Sequence, residues 1–354
     1  MGQQASDKQI MARHRPSESE SRTPAPGSSP PGTHGRYVPH RPRAPKRQPG
    51  LCRETMKAVH PMKDLRDKVA VVTGGAAGIG KGIAEALLEE GSHVVIADIE
   101  APVLASTVEE LGPRGEVRGI VTDVSDFDSM SELAEAVFSE HGACHILWNN
   151  AGVTSGGGGN PWDQEPNDWR WCFGVNVFGT SNGILAFVPR MIASGEPGVV
   201  VTTSSGDGGI APVPYASVYA SSKAAISCLT ESLAHQFIAQ RTNLRASIFY
   251  PSGGLLETGL WEAQRNRPVE LARVRPRPPA PGTTFAEFKA ALAAAGRPTE
   301  TMDLTELGRF AVNGVKQGRF VISHNLEGAG RLLHARADAI ANGELPPSAL
   351  DAVG

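Results

Sequence analysis

The chain contains 354 residues, and its net charge of −3 hides two parts of opposite charge. Residues 1–66 carry 13 Lys and Arg against 5 Asp and Glu, a net of +8, so the remaining 288 residues carry a net of −11. No run of about 18 apolar residues is present, and the N-terminus lacks the apolar stretch of a signal peptide. We therefore expect neither a membrane association nor nucleic-acid binding by the acidic part of the chain.

The four cysteines, Cys52, Cys144, Cys172 and Cys228, are widely spaced and form no C-x-x-C pair. Such spacing is typical of reduced thiols rather than of a disulfide framework or a zinc site. We therefore expect a cytoplasmic protein that holds no metal ion.

Residues 1–66 have the composition of a disordered basic arm. The segment contains ten of the 27 prolines and no apolar periodicity, so it buries too little apolar surface to offset the entropy of ordering. Its arginines could neutralise phosphates, but Tyr37 is its only aromatic residue, and we expect no nucleic-acid partner. Met56 and Met62 closely precede the folded part, which indicates that the arm is either a dispensable extension or the product of a misassigned start. A mitochondrial transit peptide is the less favoured interpretation, because acidic residues and prolines disfavour an amphipathic helix.

From residue 68 onwards, short β-branched runs alternate with amphipathic helical segments. The run Lys68–Thr73 has the composition of a strand buried on both faces, and the helical stripe Ile79–Glu90 ends at Gly91. Further strands are expected over Ser92–Asp98, Glu116–Thr122, His145–Asn149, Gly198–Thr203, Leu244–Tyr250 and Arg319–Ser323. Further helices are expected over Pro102–Leu111, Phe127–His141, Asn167–Thr180, Thr180–Ala193, Val218–Gln240, Thr284–Ala295 and Leu304–Gln317.

This alternation predicts a parallel sheet in which helices connect successive strands by right-handed crossovers. The expected fold is α/β, with a doubly wound, Rossmann-like sheet in a single domain over residues 67–325. Residues 326–354 are expected to form a C-terminal tail.

A glycine-rich turn joins the first strand to the first helix. Residues 73–80 read T-G-G-A-A-G-I-G. Glycines at such a turn let the backbone approach a pyrophosphate, and the helix N-terminus that follows favours the anion. The turn therefore predicts a dinucleotide held by Gly74, Gly78, Ile79 and Gly80, whereas the simpler interpretation is an ordinary strand-to-helix loop.

Two aspartates stand at the ends of the second and third predicted strands. Asp98 closes the second strand, where a carboxylate binds both ribose hydroxyls and repels a 2′-phosphate. This favours NAD over NADP, although Asp98 could instead cap the helix at Pro102. Asp123 follows the third strand, and we expect it, with Val124, beside the adenine; the alternative is a loop carboxylate.

Tyr219 and Lys223 share one helix face at positions i and i+4. A nearby ammonium stabilises a phenolate, so Tyr219 could take the proton of an alcohol during hydride transfer. Tyr215 has no lysine four residues later. Ser205 ends the fifth strand, where its hydroxyl could bind the substrate oxygen; a turn-forming serine, or Ser204 one residue earlier, is the alternative.

These motifs resemble those of classical short-chain dehydrogenases/reductases over about residues 67–324. The resemblance rests on the glycine turn, Ser205, the Tyr219/Lys223 pair and N-N-A-G at residues 149–152. It implies that Asn176 completes a catalytic tetrad with Ser205, Tyr219 and Lys223, by holding a bent helix and a proton-relay water. It further implies that Tyr219, Lys223, Asn150, Ala151 and Gly152 contact the cofactor. A homodimer or homotetramer is implied through the helices containing residues 176–193 and 218–240.

One motif departs from this family. The family pattern Pro-Gly-x-Val-x-Thr grips the nicotinamide carboxamide, whereas residues 251–258 here read P-S-G-G-L-L-E-T. Proline and threonine are thus seven residues apart instead of five. We align Leu256 and Thr258 with the family's Val and Thr.

The long connection after residue 255 corresponds to the family's substrate lid, expected over about 255–300. Trp261, Leu255, Leu260 and Trp162 could form an apolar substrate wall. The many arginines of this connection, among them Arg265 and Arg273, predict a solvated lid; a grip on an acidic substrate is the alternative.

The sequence thus predicts an oxidoreductase that transfers a hydride between NAD(H) and a secondary alcohol or ketone, with a hydrophobic or cyclic substrate. An NADPH-dependent ketone or acyl-chain reductase is the alternative within enzymes. A nucleotide-sensing protein without catalysis is less favoured, since a sensor needs Asp98 and the glycines but not Tyr219.

Overall fold

The computed structural model describes residues 61–155, 159–275 and 284–349. Residues 1–60 of the predicted arm, with Cys52, lie outside the described residues, as do 276–283 of the predicted lid and the last five residues of the predicted tail. Residues 61–66 were expected to belong to the arm. Instead Met62 and Leu65 are buried in the core, because both apolar side chains find a surface against the first helix and strand.

Within the described residues, seven parallel strands form one sheet in the order β3-β2-β1-β4-β5-β6-β7. The strands are β1 (Val69–Thr73), β2 (His93–Asp98), β3 (Val117–Val121), β4 (Ile146–Asn149), β5 (Gly198–Thr203), β6 (Leu244–Phe249) and β7 (Val321–Ile322). The order reverses beside β1, so a crevice opens between the carboxyl ends of β1 and β4, where doubly wound sheets bind their ligands.

Helices connect these strands and cover both faces of the sheet. They are α1 (Gly78–Glu89), α2 (Ala101–Leu111), α3 (Phe127–His141), α4 (Pro166–Phe173), α5 (Gly179–Ser194), α6 (Ser217–Gln240), α7 (Phe285–Ala294), α8 (Leu304–Lys316) and α9 (Leu326–Asn342). The predicted doubly wound α/β fold is therefore confirmed. The predicted tail differs in containing α9, whose side chain Leu332 is buried.

The core lies on both faces of the sheet because the side chains of each strand alternate. Every residue of β1 is buried. Ala70 and Val72 join one apolar cluster with α1 and α8, whereas Val69 and Val71 join a second cluster with α3, α5 and α6. Fully burying one such aliphatic side chain contributes about 1.5–3 kcal/mol, so the buried strands hold the sheet and its carboxyl edge in place.

The stretch Pro166–Ser194 is helical throughout, and a π-helical turn over Gly174–Phe178 separates α4 from α5. These 29 residues are long and apolar enough to cross a membrane, yet half of their most apolar window is buried inside the domain. A core helix meets the same criterion of length and composition, so the stretch by itself gives no membrane assignment.

Candidate active site

The glycine turn after β1 adopts backbone conformations that favour glycine. Gly74 and Gly78 have φ angles of +60° and +58°, in the left-handed region that other residues rarely enter. A Cβ atom on Gly80 would lie 2.1 Å from the carbonyl oxygen of Gly74 and 2.6 Å from the side-chain nitrogen of Asn150. The turn is thus closed up against the start of the loop that follows β4, and Ile79 is half-buried at its end.

The loop after β4 is bonded to the same turn. The Asn150 side chain donates to the carbonyl oxygens of Thr73 and Gly74, each at 3.1 Å. In return, Thr73 Oγ1 accepts the backbone N–H groups of Asn150 and Ala151 at 3.0 and 3.1 Å. These bonds join the two walls of the crevice between β1 and β4.

Asp98 lies at the carboxyl end of β2, on the side of the crevice beyond the glycine turn. Its two carboxylate oxygens accept the backbone N–H groups of Ala76 and Glu100 at 3.0 and 3.1 Å. Each oxygen keeps a further lone pair, since a carboxylate has about four acceptor positions. The carboxylate is therefore held in place by the backbone and still able to accept ribose hydroxyls.

Asp123 and Val124 lie beyond β3, and the structure gives both a local role. Asp123 Oδ1 accepts the backbone N–H and the hydroxyl of Ser125 at 2.9 and 2.7 Å. Val124 is buried, and its carbonyl oxygen accepts the Asn182 side chain at 2.9 Å. The turn-forming role of Asp123 matches the loop interpretation, and the contact of this pair with adenine stays a prediction.

Ser205, Tyr219 and Lys223 come together at the carboxyl end of β5 and the start of α6. The hydroxyl of Ser205 lies close enough to that of Tyr219 to lower the Tyr219 pKa. Lys223 Nζ lies 5.6 Å from the centroid of the Tyr219 ring and donates to the carbonyl oxygen of Thr203 at 2.9 Å. A Cβ atom on Gly152 would lie 3.4 Å from Lys223 Nζ, so the lysine faces the loop that follows β4.

Burial shifts the pKa values of this pair in opposite directions. It raises the pKa of Tyr219, and the negative charge of Asp207 raises it further, while the hydrogen bond with Ser205 lowers it. Burial also lowers the pKa of Lys223 to about 8. The pKa of Tyr219 is therefore raised and not lowered, contrary to the expectation from its spacing with an ammonium, since burial disfavours both charged forms.

Neighbouring residues make clear which serine and which tyrosine face the crevice. Ser204 is buried, and its hydroxyl bonds the Lys223 carbonyl oxygen at 3.0 Å and the Ser227 hydroxyl at 2.7 Å. Ser204 therefore joins β5 to α6, and its hydroxyl is directed into these bonds and away from the crevice. Tyr215 lies before α6 with a φ of +65° and is exposed, so the structure separates it from the lysine.

Asn176 lies in the π-helical turn and is buried. Its side-chain oxygen accepts the Val153 N–H at 2.8 Å, and its nitrogen donates to the Val153 carbonyl at 3.0 Å and to Ser222 Oγ at 2.8 Å. Because Ser222 precedes Lys223 on α6, Asn176 links the loop after β4 to the helix that carries the lysine.

The departure in the 251–258 motif has a structural cause. Gly253 and Gly254 have φ angles of +112° and +156°, and Leu255 then pairs with the segment around Thr301, its N–H donating to the Glu300 carbonyl at 2.8 Å. The longer motif thus includes the two glycines that lead into this bridge. Thr258 still reaches the glycine turn, since a Cβ atom on Gly78 would lie 3.4 Å from Thr258 Cβ, and Leu256 packs against the core.

The predicted substrate wall is only partly found. The Trp261 ring lies 5.8 Å from that of Phe285 and 5.1 Å from that of Phe288, which encloses an apolar corner under α7. Trp162, in contrast, is exposed. It stands in a short turn at Pro161–Asp163 that keeps its side chain in solvent.

In the described part of the lid, Arg267 and Arg273 are largely buried in ion pairs instead of being freely solvated. Arg267 and Arg273 form ion pairs with the buried Asp168, and Arg273 and Arg275 with Glu165. Backbone N–H groups of the lid and these arginines lower the pKa of Glu165. No feature of the sequence connects residues about one hundred positions apart, so this network was not predicted; nor was Asp207, which stands two residues after Ser205.

A family model described as short chain dehydrogenase matches residues 68–268. A Sphingobium sp. (strain SYK-6) protein named C alpha-dehydrogenase is 38% identical over 214 residues, which are 59% of this chain and 67% of that protein. A Streptomyces avermitilis protein named 1-deoxy-11-beta-hydroxypentalenate dehydrogenase is 33% identical over 228 residues, 64% of this chain and 79% of that protein.

Among solved structures, a short-chain dehydrogenase/reductase from Burkholderia phymatum in complex with NAD superimposes with a TM-score of 0.70 at 32% identity. The match covers 80% of this chain and 98% of that one. The sequence match, the structural match and the motifs described above all indicate the same family. The chain therefore belongs to the short-chain dehydrogenase/reductase family of NAD(P)-binding oxidoreductases.

Proposed function

We propose that this protein is an NAD(H)-dependent oxidoreductase that interconverts a secondary alcohol and a ketone on a hydrophobic or cyclic skeleton. The observation that carries the proposal is the grouping of Ser205, Tyr219 and Lys223 beside Gly152, at the mouth of the crevice. A proton acceptor, a hydroxyl donor and a cation at one point are what alcohol oxidation requires.

Each residue of this group has one role in the proposed reaction. In the oxidative direction, the substrate hydroxyl gives its proton to the Tyr219 phenolate, while the hydrogen on the same carbon leaves as a hydride and the C=O bond forms. Bound NAD⁺ supplies the hydride acceptor. Ser205, which lies beside Tyr219, holds the substrate oxygen, and Lys223 passes the proton from Tyr219 towards solvent with Asn176 as its positioning residue.

The two directions need opposite protonation states of Tyr219, and its raised pKa moves the change between them to higher pH. Oxidation needs the phenolate, so its rate rises towards alkaline pH. Reduction needs the phenol as proton donor, so it is favoured at lower pH.

Asp98 supports the preference for NAD(H). Its carboxylate is fixed by two backbone N–H groups, and a fixed negative charge at this strand end disfavours a 2′-phosphate. The glycines that leave no room for a Cβ atom support a dinucleotide in the crevice.

The substrate class rests on the lid and on the relatives. Trp261, Phe285 and Phe288 offer an aromatic corner, which suits an apolar skeleton. The names C alpha-dehydrogenase and 1-deoxy-11-beta-hydroxypentalenate dehydrogenase denote dehydrogenation of organic substrates, in keeping with this class.

We further propose a cytoplasmic homodimer or homotetramer. Phe178, Leu185 and Ile192 expose apolar side chains along the helix of residues 174–194, and such a stripe favours burial against a second copy.

The test is a pair of Tyr→Phe variants assayed for NADH formation with a panel of alicyclic and aromatic secondary alcohols. Tyr219→Phe removes the proton acceptor, and we expect a loss of about 100-fold or more in kcat with NADH binding retained. Tyr215→Phe is the matched control and keeps wild-type activity. Near wild-type turnover by Tyr219→Phe would refute the mechanism.

A further inference from the structure

The segment Thr258–Asn266, which we call the strap, crosses the edge of the dinucleotide crevice. Thr258 begins the strap against Gly78 of the glycine turn. Residues Gly259–Asn266 form a short 3₁₀-helical segment, and its end reaches Glu100, two residues after Asp98. The strap therefore runs from the glycine turn to the loop that follows β2.

Glu100 and Arg265 join the strap to that loop through a two-pronged ion pair. Arg265 Nε donates to Glu100 Oε2 at 3.1 Å and Nη2 donates to Oε1 at 2.5 Å, and Asn266 adds a bond to Oε1 at 2.8 Å. The mutual hydrogen bonds lower the pKa of Glu100 and raise that of Arg265. Both groups therefore stay charged across the neutral range.

The strap itself presents the guanidinium to Glu100. Arg265 Nη1 donates to the carbonyl oxygens of Gly259 and Glu262 at 2.8 and 3.0 Å. A guanidinium held in this way loses little freedom when it pairs with a carboxylate. The contact thus joins a guanidinium held by the strap to a carboxylate of the loop that follows β2.

The chain just beyond the strap is anchored much more firmly. Arg267 pairs with Asp168 at 2.8 Å, where the two side chains are 6% and 0% exposed, while those of Arg265 and Glu100 are 38% and 23% exposed. Breaking a buried pair leaves an uncompensated charge, whereas a partly exposed pair opens into water at little cost. Separating the strap from Glu100 therefore costs less than separating the chain from Asp168.

We propose that Glu100 and Arg265 form a clasp that retains the dinucleotide in the crevice. The clasp closes the strap over the edge beside Asp98 once the cofactor has entered, and it opens for release. Glu100 and Arg265 are thus positioning residues for the cofactor, not catalytic ones. The inference rests on the proposed function, because it places a dinucleotide in this crevice.

The test measures NADH retention in Glu100→Gln, Arg265→Gln and the double variant. We expect each single variant to release NADH about three- to tenfold faster in stopped-flow displacement, and the double variant to be no faster than either. Raising the salt concentration should speed release from the wild type but not from the variants, since a partly exposed pair is screened. Urea unfolding checks that all variants are equally folded.

Arg309→Gln is the matched control. Arg309 pairs with Glu89 in the same two-pronged way, at 2.8 and 2.7 Å, with side chains 45% and 35% exposed. This pair joins α8 to α1 away from the strap. We expect Arg309→Gln to release NADH at the wild-type rate.

The outcomes separate the clasp from the function on which it rests. If the wild type binds NADH and the clasp variants release it no faster than Arg309→Gln, the clasp is wrong and the proposed function stands. The same conclusion follows if only one of the two single variants has an effect. If the wild type binds neither NADH nor NADPH in a fluorescence titration, the proposed function and the clasp both fail.

Discussion

Asp207 is an exposed side chain whose charge acts on Tyr219, the proposed proton acceptor. It follows Ser205 by two residues, and its backbone N–H donates to Ser205 Oγ at 3.1 Å. That bond leaves the Ser205 proton free to be donated to a substrate oxygen. The carboxylate charge lies close enough to Tyr219 to raise its pKa, since a phenolate is disfavoured beside another negative charge.

Replacing that charge should move the pH profile of alcohol oxidation in a known direction. In Asp207→Asn the negative charge is lost, the pKa of Tyr219 falls, and the phenolate forms at lower pH. We expect the acid limb of kcat for oxidation to shift to lower pH. The measurement is the rate of NADH formation between about pH 6 and pH 10.

Asp338→Asn is the control, because Asp338 is an exposed residue of α9. It should leave the profile unchanged. An acid limb that stays in place, or moves to higher pH, in Asp207→Asn would contradict the assignment of Asp207.

At the scale of elements, α1 and α8 cross at a pair of glycines. A Cβ atom on Gly308 would lie 2.1 Å from the Gly82 carbonyl oxygen, and one on Gly82 would lie 2.2 Å from the Leu304 carbonyl oxygen. The backbones therefore touch, and any side chain at either position forces the helices apart. Because α1 begins at the glycine turn, its position also sets that of the dinucleotide crevice.

Gly308→Ala is therefore expected to destabilise the fold by about 1–3 kcal/mol, measured as the free energy of unfolding in urea. Gly330→Ala in α9 is the matched control, since a Cβ atom there meets nothing within 4 Å. That change should be neutral or stabilise by up to about 1 kcal/mol through the helix propensity of alanine. Equal unfolding free energies for the two variants would show that the crossing is not tightly packed.

The same scale shows which features a sequence can predict. The strands and the long helices follow from local composition, so the predicted Phe127–His141 and Gly198–Thr203 match the structure at both ends. Local composition did not predict the π-helical turn around Asn176, and only the family resemblance implied a bent helix there, because the Asn176 side chain bonds residues distant in the chain, Val153 and Ser222. Helix α9 was missed because its apolar contacts are few.

The candidate site divides in the same way. Tyr219, Lys223 and the glycine turn are recognisable because their spacing is local, at four residues in a helix and at one strand end. The ion pairs of the lid could not be predicted from the sequence, since the partners of Arg265 and Arg267 lie 165 and 99 residues away in the chain. Composition reports that a segment is basic but not which carboxylates it meets.

At the scale of the whole molecule, cofactor binding must stabilise the fold, because the crevice is assembled from β1, β2, β4 and α1 together and does not exist in the unfolded chain. A ligand present at 100 times its Kd adds about 2.7 kcal/mol to the free energy of unfolding. For a domain of this size that is several degrees in Tm, at about 2–4 °C per kcal/mol. The difference between two dinucleotides therefore reports which one the crevice prefers.

NADH should raise the Tm of the wild type by several degrees more than NADPH at the same concentration, in thermal denaturation followed by circular dichroism. Asp98→Asn tests the cause: the amide oxygen still accepts one backbone N–H, but the charge that repels a 2′-phosphate is gone. In this variant the two shifts should converge, while its Tm without cofactor reports any loss of the bonds to Ala76 and Glu100. A larger Tm shift with NADPH in the wild type would overturn the assignment of NAD(H) and favour the NADPH-dependent reductase instead.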